Sequence, residues 1–142
     1  MIKFKNKDVQ SVSNFLLNEV SLKGKKNIHR MRVVKELETH AKRFSDEELE
    51  LLKEYAKTDD NDEFIRNEQG NLDIDDVKGF KEQQKELMNE EVTIEGANLE
   101  SALNTVKDIV MDYNKELSGD NAEAHFLLVD AFEQVDEKGN DK

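Results

Sequence analysis

From Asn27 to about Lys57 the chain meets neither proline nor glycine. Over this stretch Ile28, Met31, Val34, Leu37, Ala41 and Phe44 recur at three- and four-residue steps, and Leu51, Leu52 and Tyr55 resume the stripe. That period is one face of an α-helix. "SDEE" in the middle offers a capping box, with Ser45 as cap and Glu48 at the third position. Two helices would use it, yet no stop signal precedes it, so one long helix, straight or kinked, is the preferred reading. Thirty helical residues extend ~45 Å, more than the width of a small domain. An elongated body is therefore expected.

The other segments fit around this element. "MIKFK" alternates Ile2 and Phe4 with lysines and reads as a short half-buried strand. "NKDVQSVSNFLLNEV" places Val9, Val12, Phe15 and Leu16 on one helical face, with Asn6 as its expected N-cap. "FIR" and "LDI" flank Gln69-Gly70-Asn71 as a small β-hairpin. A helix follows with Val77, Phe80, Leu87 and Met88 on one face and Asp75 or Asp76 as cap, and "EVTIEG" is a further short strand. "NLESALNTVKDIVMDYNKEL" predicts a helix closed by Ser118-Gly119. The last helix is expected to turn Ala122, Phe126, Val129 and Phe132 inward. The fold class is thus α+β, mainly α, with four to five helices, an N-terminal strand, a hairpin and one more strand. A single elongated domain over 1–135 and a disordered tail over 136–142 are expected. No internal repeat is visible.

Charge is the other strong signal. Residues 1–35 hold nine Lys/Arg and two acids, a net of +7, whereas 36–142 hold 12 Lys/Arg and 31 acids, a net of −19. The basic residues concentrate in "SLKGKKNIHRMRVVK", which contains no acid. Lys23, Lys25, Lys26, Arg30, Arg32 and Lys35 are the candidate partner-binding residues. Phosphate of a nucleic acid is one conceivable ligand at such a helix start. No aromatics for base stacking are interleaved, and the rest of the chain would repel a polyanion. Nucleic acid is therefore disfavoured, and the patch is expected to face the protein's own acidic helices, another copy or an acidic partner.

Catalytic and metal chemistry find little purchase. There is no cysteine, which excludes disulfides and thiolate sites. "DDNDE" fails the calcium-loop pattern, because counting from Asp59 position six is Phe64 and position twelve is Gly70. His29 and His40 would lie ~16 Å apart along one helix, too far to share a metal. No GxSxG or Gly-rich phosphate loop occurs. No enzyme activity, cofactor or metal is expected. No apolar run nears the ~20 residues that span a bilayer, and the N-terminus lacks the apolar core of a secretory signal. Host cytoplasm, with incorporation into a virion as the variant, is the expected location.

Several blocks together carry a resemblance: "LKGKKNIHRMRVVKEL", "ELELLKEYAKTDDND", "IRNEQGNLDI", "FKEQQKELMNEEVTIEG" and "LSGDNAEAHFLLVDAFE". Over about residues 1–135 the chain resembles a family of small phage and prophage proteins of Gram-positive hosts, described only as a domain of unknown function. The resemblance implies phage origin, an α+β body and no established enzyme activity. It defines no functional residues. Members tend to lie among late genes near tail and lysis functions, which implies a tail-associated or assembly role through a phage or host protein. Two other functions remain open. One is an acidic inhibitor of a host nucleic-acid-binding or defence protein. The other is direct nucleic-acid binding through 23–35.

Overall fold

The computed structural model describes residues 1–140, and the side chains of 1–136. Its elements are β1 (Ile2–Lys5), α1 (Asn6–Asn18), α2 (Lys25–Tyr55), α3 (Val77–Asn89), β2 (Glu91–Ile94), α4 (Glu100–Asp112) and α5 (Gly119–Asn140). The chain is α+β and mainly helical. It divides into two compact units: Met1–Ala41 with Glu91 onward, and Lys42–Glu90. The boundary at Ala41 falls inside α2.

In the first unit β1 and β2 pair antiparallel, with Ile2 opposite Ile94, Lys3 opposite Thr93, Phe4 opposite Val92 and Lys5 opposite Glu91. The period of two sends Ile2, Phe4, Val92 and Ile94 into the core and leaves Lys3 and Lys5 outside. The two short apolar segments expected as strands are therefore partners. α1 packs on α5 and β1, and α5 also on α4. Their apolar faces meet Val33, Val34 and Leu37 of α2 around Phe15, which is fully buried. Each such aliphatic or aromatic side chain contributes ~1.5–3 kcal/mol on burial.

α2 is one continuous helix through Ser45 and Glu48, so the capping box is not used. Without a Gly, Asn or Pro to end the preceding turn, the helix has no reason to stop there. Asp76 does cap α3, accepting from Gly79 N–H at 2.9 Å. Other expectations are corrected. Asn6 is the first residue of α1 and is buried; Lys5 occupies the cap position without a side-chain bond. α4 ends at Asp112, five residues before Leu117, with Tyr113 in extended backbone. α5 buries Ala124, Leu128, Ala131 and Phe132, while Phe126 is 66% exposed. Apolar residues lie on more than one side of α5: of the expected stripe Phe132 is buried and Val129 packs partly buried against the core, whereas Phe126 faces out. α5 runs to Asn140, past the expected end near Val135. Of the expected disordered tail, 136–142, residues up to Asn140 are helical instead, and 141–142 lie outside the described residues.

The second unit holds an unforeseen regularity. Lys57 N–H bonds Asp73 C=O at 2.9 Å, Asp73 N–H bonds Ile65 C=O at 3.0 Å, and Ile65 N–H bonds Lys57 C=O at 3.0 Å. Three residues spaced by eight thus close a ring of backbone bonds. Bridges Thr58–Phe64, Arg66–Leu72 and Ala56–Ile74 flank it, so the hairpin expected around Gly70 is one lobe of a three-part arrangement. The first two lobes repeat in detail. Asp59 Oδ1 accepts from Asn61 and Glu63 N–H, and Asn67 Oδ1 accepts from Gln69 and Asn71 N–H. Asp62 at φ 61° and Gly70 at φ 81° occupy the equivalent left-handed position. The third lobe runs into α3. Lys57 Nζ lies 3.4 Å from Asp75 and 3.7 Å from Asp73. The bond to Asp75 and the charge of Asp73 raise its pKa. The associated stability is present below the ordinary lysine pKa and lost as pH climbs through the raised value.

The two lobes give a paired prediction. No atom lies within 4 Å of a Cβ built at Gly70, so its cost is purely conformational. Gly70→Ala should lower unfolding free energy by ~1 kcal/mol or more, whereas Asp62→Gly should leave it unchanged or raise it. Urea unfolding of the two variants, followed by circular dichroism, checks the opposite signs.

Candidate interaction surface

The basic segment is divided by the geometry of α2. Gly24, at φ 61°, turns the chain, and its carbonyl accepts from Asn27 and Ile28 N–H to start the helix. Lys23, Lys25 and Lys26 are exposed there. No acid in the first turn offsets them, an arrangement mildly unfavourable to the helix dipole.

Arg30 points the other way. Its guanidinium donates to Leu16 C=O at 2.9 Å, to Leu17 C=O at 3.2 Å and to Val20 C=O, and its other terminal nitrogen donates to Asn27 Oδ1. These carbonyls belong to the end of α1 and the residues just beyond it. α1 has no basic residue in its last turn, so Arg30 supplies from α2 the cation that a helix C-terminus favours. The expectation of an outward-facing Arg30 is corrected: the side chain is part-buried and bonded within the fold.

Arg32 and Lys35, one turn further, are exposed and line a groove of about 950 Å³. One wall is α2, with Asn27, Ile28, Met31, Glu36 and Thr39; the other is the 95–99 loop. Met31 and Leu99 are partly buried against the core and form an apolar base, while Ile28 remains 53% exposed. Lys35 Nζ is 3.4 Å from Glu38, and Glu36 is 3.4 Å from His40 Nε2. The rim therefore carries both signs, with Glu95 on the loop side.

Of the six candidate residues, the structure brings Arg32 and Lys35 into this groove, leaves three lysines at the helix start and turns Arg30 inward. The 95–99 loop went unnoticed in the sequence, where its residues were read as the end of a strand and the start of a helix. Ile28 was legible as apolar, but periodicity assigned it to the buried stripe.

Two of the three histidines, His29 and His125, pack and bond within the fold. His29 is buried, and its Nδ1 lies 2.7 Å from Thr105 Oγ1. Thr105 donates to Ser101 C=O at 3.2 Å, which leaves the His29 nitrogen as donor to the hydroxyl oxygen. His125 Nε2 donates to Val110 C=O at 2.9 Å and its ring meets Phe15 and Tyr113. Among the described residues no group of three or more His, Asp or Glu is placed to hold a metal, and no helix is long and apolar enough to cross a membrane.

In comparisons with known proteins, no family model, no curated protein and no solved structure matches the chain.

Removing the two arginines should separate their roles. Arg30→Met leaves α1 carbonyls without their donor and should cost ~1.5–3 kcal/mol, the range for bonds to charged groups. Arg32→Met should stay within about 0.5 kcal/mol, as for an ordinary surface change. Midpoints of urea unfolding compare them directly.

Proposed function

We propose that this chain is a non-enzymatic phage protein that acts by protein–protein contact, in tail or baseplate assembly or as a small accessory factor, with the groove between α2 and the 95–99 loop as its contact surface. The observation that carries the reading is the groove's makeup: an apolar base of Met31 and Leu99, an exposed Ile28, and a rim of Arg32, Lys35, Glu36 and Glu95. A polyanion would meet carboxylates as well as cations there. A protein segment can place apolar side chains on the base and pair with both signs at the rim, the pattern of an apolar centre within a polar border. The phage setting rests on the sequence resemblance, not on the groove.

The test is capture from lysate of a phage-infected Gram-positive host on the immobilised chain, with retained proteins identified by mass spectrometry. A specific late phage protein should be retained by the wild type and by Lys23/Lys25/Lys26→Glu. It should be lost with Ile28→Asp or Arg32/Lys35→Glu. Retention unchanged by the groove variants, or no retention by the wild type, would refute the assignment. A salt-sensitive gel shift with DNA or RNA would favour the nucleic-acid alternative instead.

A further inference from the structure

Residues 42–90 are incompletely covered. Ala56 is the one side chain in that unit buried below a tenth of its surface, and no residue of α3 is buried. Phe44, Leu51, Leu52 and Tyr55 of α2, with Phe80, Leu87 and Met88 of α3, are partly buried and none is fully covered. Val77 is 45% exposed. Tyr55 and Phe80 meet with ring centroids 5.9 Å apart, yet the apolar layer around them stays open.

Two charged rows border this layer. On α3, Lys78, Lys81 and Lys85 follow one another at steps of three and four, and all are exposed. That spacing places them on one face. Among the described residues none of the three has an ion-pair partner. Val77 and Glu82 complete a shallow depression of about 510 Å³ along them. On α2, Glu47, Glu50 and Glu54 repeat the same steps and are exposed. Glu47 and Glu50 have only local partners, Arg43 at 3.5 Å and Lys53 at 3.8 Å.

The lysine row is the anomaly. This unit holds 16 acids and 8 Lys/Arg, and 8 − 16 gives a net of −8. Glu82 lies beside the row, yet among the described residues it forms no ion pair with any of the three lysines, and the same unit carries an acidic row at matching spacing. A two-fold contact requires such self-complementarity: each patch meets the other patch on the second copy, twice over. We infer that residues 42–90 form an interface between two copies of this chain, with the Glu47/Glu50/Glu54 row of one against the Lys78/Lys81/Lys85 row of the other. Exposed ion pairs contribute little, ~0–1 kcal/mol each, so covering the half-buried apolar layer supplies the drive and the rows set the register. The net charge of each copy opposes association only weakly at ~0.1 M salt, where the screening length is about 10 Å. This surface shares no residue with the groove, and the inference stands apart from that assignment.

Charge exchange tests it on the full chain. At micromolar concentration, sedimentation equilibrium of the wild type should give twice the 16.4 kDa chain mass. Lys78/Lys81/Lys85→Glu and Glu47/Glu50/Glu54→Lys should each sediment as monomers with wild-type helical circular dichroism. Mixed in equal amounts, they should restore the dimer, because each then offers the row the other needs. If a triple variant loses its helical signal, Lys81→Glu and Glu50→Lys singly and mixed replace it, with the same pattern of weakening and recovery expected. A monomeric wild type, dimers that persist in both folded variants, or a mixture that stays monomeric would overturn the inference.

Discussion

The antiparallel pairing of Ile2–Lys5 with Glu91–Ile94 is the contact on which the rest of the first unit depends. Joining segments so far apart in sequence carries a loop-closure cost, which grows only slowly with length. The register offsets it by sending Ile2, Phe4, Val92 and Ile94 together into one core. Once the strands meet, α1 leaves β1 directly, and α4 follows β2 after the short 95–99 loop. That loop then becomes the far wall of the groove along α2. The candidate surface is thus a by-product of strand pairing, assembled from a helix and a loop that are distant in sequence.

The positive segment has no single purpose. An uncapped helix end elsewhere in the fold draws in Arg30, and the 3.6-residue turn separates it from its neighbours. Arg32 and Lys35 are left outward on the groove side. Composition describes a block of like charges, whereas helical geometry distributes them among a structural bond, a groove rim and a solvated helix start. An electrostatic patch read along a sequence needs this decomposition before it supports any ligand.

Much of the fold was legible. The long stripe of α2, the face of α1, the cap of α3 and the alternation in β1 and β2 follow directly from local sequence signals. Pairing between β1 and β2 was not legible, because alternation identifies a strand but not its partner. α5 misled because its apolar residues lie on several sides, so Phe126 and Leu128 compete for the core on equal terms until α1 and α4 are in place. The eight-residue arrangement at Lys57, Ile65 and Asp73 was hidden for another reason. Its regularity is in backbone bonds, while the side chains at the three positions share neither size nor charge. At the candidate site, Arg32 and Lys35 were found from charge alone; the 95–99 loop had no motif to announce it.

The boundary between the units lies inside an uninterrupted helix, and this shapes how the molecule opens. With a single buried side chain, residues 42–90 stand at the low end of local stability, where opening occurs without global unfolding. Nothing in α2 marks the point at which such melting halts except the change in what the helix packs against, from Ala41 inward to the Leu37–Val33 core. One covalent helix therefore belongs to two cooperative units. Up to Ala41 it packs with the first unit, while toward Tyr55 it leads into the ring at Lys57.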